Sequence, residues 1–160
     1  MRIPFVVAAI VVAAHAAAAD RPCGKGDAAQ ASKALDRVNT WSQLRKGWHD
    51  WAHCDTGPTA DLFTDAVLRL AVDWKDVGTL AASMRDDRGY HDFILAHVKG
   101  AAKEDRDVVY SRAKASCPAG DDAVCGEIAA AAKGEGAKPR EPDTLDLSPI
   151  GRTPEPPARK

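Results

Sequence analysis

The chain has 160 residues, 22 of them basic and 23 acidic, for a formal net charge of −1. That balance excludes a general electrostatic field for nucleic acid or anionic lipid, and no run of one sign stands out. The length suits one small core rather than several domains.

Residues 1–19 read as a targeting signal. Arg2 supplies a positive charge, residues 3–12 form an apolar run, and residues 13–19 are rich in small side chains. Ala17-Ala18-Ala19 fits an A-x-A cleavage site before Asp20. The alternative is an uncleaved anchor, but His15 interrupts the segment and the apolar run is short of the ~20 residues a span needs. A lipid anchor would need a cysteine directly after the cut, whereas Asp20, Arg21 and Pro22 precede Cys23. Losing Arg2, the one charged residue of this segment, takes the formal charge from −1 to −2. No later stretch is long and apolar enough to cross a membrane. These features predict a periplasmic or secreted protein.

The region 20–133 predicts a helical domain. Gly24-Lys25-Gly26 reads as a flexible entry, and Asp27 as the N-cap of a helix from Ala28. Leu35, Val38, Trp41, Leu44, Trp48 and Trp51 recur every three or four residues, the stripe of an amphipathic helix. Asn39-Thr40 can split this stripe into two helices, one of the pair capping the second. The pattern ends near Cys54. Asp55-Thr56-Gly57-Pro58 is turn chemistry, with Pro58 suited to the first turn of the next helix. Leu62, Phe63, Ala66, Val67, Leu70, Ala71 and Trp74 make the next stripe, and Asp65 with Arg69 is spaced as an i,i+4 ion pair.

A further helix follows Asp76, with Val77, Leu80, Ala81 and Met84 at helical spacing. Asp86-Asp87-Arg88-Gly89 reads as a loop. Tyr90, Phe93, Ile94, His97 and Val98 share one side of a short helix that loosens at Gly100. A less apolar helix spans 104–116, Pro118-Ala119-Gly120 breaks the chain, and Asp121 or Asp122 caps a last helix carrying Val124 and Ile128. No segment alternates with β-branched residues. The fold class is therefore all-α, a compact bundle of five to seven helices.

Cys23, Cys54, Cys117 and Cys125 are even in number, which in an exported chain reads as two disulfides. Four cysteines allow three pairings. A short loop between a helix end and a helix start favours Cys117 with Cys125, which leaves Cys23 with Cys54. From 134 to 160 the character changes: six of the ten prolines fall there among charged residues. Such a segment cannot bury enough to offset its ordering entropy and reads as a disordered tail. Leu145, Leu147 and Ile150 could form a short docking motif within it.

His49 and His53 are spaced to share a helix face, as two ligands of a zinc site often do, and His91 or His97 could supply a third. Asp50 stands where the glutamate of a His-Glu-x-x-His motif would be, and Cys54 is assigned to a disulfide. The chain is therefore read as metal-free and cofactor-free, with His49 and His53 as the positions that would argue otherwise. There is no Gly-x-Ser-x-Gly elbow and no phosphate-cradling glycine loop. Glu104 and Glu127 are the only glutamates of the predicted domain. The reading is a binding protein rather than an enzyme.

Four tryptophans, Trp41, Trp48, Trp51 and Trp74, lie within 34 residues. Trp41 and Trp74 are expected in the core, and Trp48 fits either core or surface. Asp61, Asp65, Asp73, Asp76, Asp86 and Asp87 form a solvated acidic face or one offered to a basic partner. The turn 55–59 and the segment 86–90 show no core duty in the sequence. Asp55, Thr56, Gly57, Asp86, Asp87, Arg88 and Tyr90 are therefore the candidate partner contacts.

The alanine-rich signal, the all-α body of this length, the cysteines at helix ends and the missing catalytic set together resemble a known group. The chain is similar in plan to the small exported helical immunity proteins that protect Gram-negative periplasms from type VI secretion amidase toxins. The resemblance covers roughly residues 41–130. It implies a protein partner, a toxic cell-wall amidase, whose active-site groove is blocked by a helix end or loop. Two other classes remain: a metal-binding protein or small hydrolase centred on His49, His53, His91 and His97, and a structural envelope component tethered by its proline-rich tail.

Overall fold

The apolar stripes become seven α-helices in a computed structural model that describes residues 21–134. The predicted signal and nearly all of the proline-rich tail lie outside these residues. The helices are α1 (Lys25–Leu35), α2 (Trp41–Trp51), α3 (Gly57–Asp73), α4 (Val77–Asp86), α5 (Arg88–Gly100), α6 (Lys103–Ala115) and α7 (Asp122–Ala132). A 3-10 turn, Ala52–Cys54, follows α2. The described residues contain no strand, and none of their helices is long and apolar enough to cross a membrane.

Helix α1 begins at Lys25, earlier than the sequence suggests. Asp27 is not the N-cap: it sits in the first turn and accepts from the Gly24 N–H at 3.4 Å. An acidic group there also suits the positive end of the helix dipole. The cap between the first two helices is Thr40, whose side chain accepts from the Gln43 N–H. Arg69 does not turn to Asp65. Its guanidinium donates to the Leu35 and Val38 carbonyls at 3.1 and 3.2 Å, serving the end of α1 that has run out of helical donors.

The core is built on Leu35, Trp41, Leu44, Phe63, Val67, Leu80, Tyr90, Ile94, Val98, Val109 and Ile128, all nearly inaccessible. Helix α3 is its axis, packing against α1, α5 and α6. Trp48 and Trp51 are half-buried against this core, and Trp48 packs beside Tyr90 and Phe93. Gly89 makes that approach possible, since a Cβ there would stand 3.0 Å from the Trp48 ring. Trp74 is half-buried, not in the core as its stripe implied. It ends α3 in the left-handed conformation at φ 54°, which swings its indole out to donate to the Ser116 carbonyl at 2.9 Å.

Two cross-links close the body. Cys23 pairs with Cys54, fastening the entry of α1 to the 3-10 turn, and Cys117 pairs with Cys125 across the turn between α6 and α7. This is the pairing that loop length favours.

Candidate functional site

The segment 86–90 is not a loop. Helix α4 ends at Asp86 and α5 begins at Arg88, so Asp87 alone joins them. Its carboxylate accepts from the Tyr90 N–H at 3.1 Å, an N-cap bond, and faces Arg45 at 3.7 Å and His49 at 3.3 Å on α2. Tyr90 is fully buried, with its hydroxyl donating to the Trp41 carbonyl, and burial pushes the phenol well above its ordinary range. Asp87 and Tyr90 therefore carry core duty, while Asp86 and Arg88 are exposed.

The turn 55–59 divides in the same way. Thr56, Gly57 and Pro58 are exposed, whereas Thr59 is buried and Asp55 half-buried. Asp55 Oδ2 lies 3.1 Å from His97 Nε2, and His97 Nδ1 lies 2.8 Å from Thr64 Oγ1. Phe93 and Phe63 flank the imidazole. The order hydroxyl, imidazole, carboxylate is that of a nucleophile relay, but Thr64 Oγ1 is also 3.0 Å from the Ala60 carbonyl of its own helix. The chain of bonds spans α3, α5 and the turn after Cys54, and it fastens these elements together. His97 on the apolar side of α5 was the one sign of it in the sequence.

His49 and His53 do not share a face. The α-helix stops at Trp51, where φ is −130° and ψ 12°, and this turns His53 away from the line of His49. His53 lies 2.9 Å from Arg21 and 3.6 Å from Asp27, beside the Cys23–Cys54 bridge, while His49 faces Asp87. Among the described residues, no three His, Cys, Asp or Glu side chains are grouped as a metal ion would need.

Two surface hollows lie elsewhere, along the seam of α5 and α7. One hollow of about 350 Å³ is lined by Arg85, Arg88, His91, Asp121, Val124 and Glu127. A second, of about 440 Å³, is lined by Asp92, Leu95, Lys99, Glu127, Ala130 and Ala131. The first takes the N-terminal halves of both helices and the second their C-terminal halves, so the helices run in the same sense. Glu127 lines both hollows, which follow one another along this seam as a shallow groove; the second sets Asp92, Lys99 and Glu127 beside Leu95, Ala96, Ala130 and Ala131.

Four bonds hold the walls. The Cys117–Cys125 bridge pins the start of α7. Arg85 donates to Asp121 Oδ1 at 2.7 Å, tying α4 to the same turn. His91 lies between Asp92 Oδ1 at its Nδ1 and Glu127 Oε2 at its Nε2, both at 2.9 Å. A neutral imidazole has a single N–H. A carboxylate against each ring nitrogen therefore calls for the imidazolium. Burial opposes that charge, but the hydrogen bonds to Glu127 and Asp92 outweigh it and raise the His91 pKa above its ordinary value. The same bond holds the Asp92 carboxyl below its ordinary value. Sequence reading missed the groove, because nothing in the spacing of His91 and Glu127 says that α5 and α7 are neighbours.

The fold and groove define a class, an all-helical domain closed by two disulfides with an open amphipathic seam. Comparison of the chain with family models, with curated proteins and with solved structures finds no match in any of the three.

Proposed function

We propose that this chain is an exported helical binding protein that occupies a partner protein rather than transforming a substrate. The partner is a secreted cell-wall hydrolase of the amidase type, as in immunity proteins. One observation carries the binding reading: the α5–α7 groove, whose two hollows meet at Glu127. Small side chains at Ala96, Ala130 and Ala131 let a partner element approach closely, and Arg85, Arg88 and Glu127 at the other end set its register by charge. The complementary element is a loop or helix with an apolar residue for the alanine floor and an acidic group for the exposed Arg88. Two disulfides support the export half of the reading, since such bonds persist in oxidising compartments.

The test is inhibition. Purified protein is mixed with a secreted amidase from the same envelope, encoded beside it where such a frame exists, and peptidoglycan cleavage is followed. The expected result is stoichiometric loss of cleavage by the wild type and its recovery with Ala130→Arg, which fills the second hollow from an exposed position. Unchanged cleavage with the wild type, or equal inhibition by Ala130→Arg, overturns the assignment to this groove and partner. Stoichiometric zinc in the purified protein, lost in His53→Ala, would return the function to the metal-centred class.

A further inference from the structure

We propose that His91 is an acid–base latch between α5 and α7: as the imidazolium it ties Glu127 to Asp92, and loss of its proton frees Glu127 and loosens α7 along the groove.

The geometry of the seam carries this. His91 is 8% exposed and stands on α5 with one carboxylate at each ring nitrogen. The two carboxylates are not equally held. Asp92 is the sequence neighbour of His91 and is also gripped by Arg88, whose Nε lies 3.1 Å from Oδ1. Glu127 comes from another helix, half of its side chain is in water, and His91 is its one hydrogen-bond partner among the described residues. When the imidazolium gives a proton to solvent, the ring keeps one N–H. Asp92 holds that N–H at Nδ1, and the bare Nε2 then faces a carboxylate oxygen, two lone pairs in opposition. Glu127 is the group free to move away, and α7 loses its polar tie to α5.

The other charges around the ring do not substitute for that tie. Arg88, one turn earlier on α5, disfavours the imidazolium but faces Asp92. On α4, Arg85 lines the same hollow and is committed to Asp121 in the turn before α7. Asp87, at the start of α5, directs its carboxylate to Arg45 and His49 on α2. The balance at the ring is set by Glu127 and Asp92 against Arg88 and burial, and it favours the charged form. The latch is a property of the seam in the free protein and does not rest on the proposed partner.

The experiment follows the full chain by NMR across neutral pH, reading the His91 ring proton and the hydrogen exchange of α7 amides. Exchange is corrected for the intrinsic base-catalysed rate. In the wild type, the His91 midpoint should lie above the ordinary value of about 6.5, and α7 exchange should rise several-fold as pH passes it. In Glu127→Gln the midpoint should fall and α7 exchange should become flat with pH, because the amide can donate to the neutral ring or accept from the charged one. This exposed substitution leaves the core untouched. A wild-type midpoint at or below about 6.5 overturns the latch. So does wild-type α7 exchange that ignores pH, or that responds equally in Glu127→Gln.

Discussion

The indole Nε1 of Trp41 donates to the main-chain carbonyl of Lys75 at 2.9 Å, from a side chain that is 1% exposed. Lys75 sits between two non-glycine residues in the left-handed conformation, Trp74 at φ 54° and Asp76 at φ 50°. A tight α3–α4 connection built on such residues is strained, and one buried donor from α2 holds it in place. Trp41→Phe keeps an aromatic ring but deletes that donor and shrinks the side chain. Urea denaturation should show a loss of about 2–3 kcal/mol, from the orphaned carbonyl and the small void together. Asp76→Gly relieves strain where no side-chain cap bond is lost. It should leave stability unchanged or raise it by up to about 1 kcal/mol.

The two cross-links close loops of different size, with sequence separations of 8 for Cys117–Cys125 and 31 for Cys23–Cys54. In the chain-entropy account, the longer loop stabilises more. Replacing both cysteines by alanine should cost about 2.5 kcal/mol for the first pair and about 3.7 kcal/mol for the second. Chemical denaturation of the two double variants measures the order, which reverses if native-state packing rather than loop size dominates.

His97 is the middle of a chain that reaches from Thr64 to Asp55, and Asp55 Oδ1 is already buried without a partner among the described residues. His97→Leu would strip the other oxygen as well. The expected loss is about 2 kcal/mol, below the full cost of breaking a buried pair because the Asp55 side chain is 26% exposed. Adding Asp55→Ala removes the stranded carboxylate and should recover part of that loss. A double-mutant cycle reads the coupling directly, and additive effects would refute it.

Asp27 contributes to stability on the acid side. Burial raises its pKa, but the Gly24 N–H, Arg21 and His53 outweigh that, and the net shift is downward. A carboxylate with a depressed folded pKa contributes stability that is fully present above its unfolded value near 3.9 and is lost as pH falls through the folded one. Urea midpoints taken from neutral pH into that acid range should fall for the wild type. They should fall less steeply for Asp27→Asn, which keeps a side-chain acceptor for Gly24 but no titratable group.

What the sequence by itself determined follows from local physics. Apolar residues three and four apart allow a helix one buried face, and turn residues such as Thr40 and Gly57-Pro58 mark where helices begin. The absence of alternating β-branched runs leaves the described residues no sheet. Loop length alone favours Cys117 with Cys125 among the three pairings. What only the tertiary structure decided was which faces meet. His49 and His53 look like a pair until the helix stops at Trp51, a backbone event that periodicity does not record. Asp86 to Gly89 look like loop residues because a helix boundary one residue long carries no compositional mark. His91 and Glu127 lie 36 residues apart and touch because α7 folds back beside α5. Spacing along a chain fixes a side chain's angle around its own helix, but the partner across a seam depends on how every other helix packs.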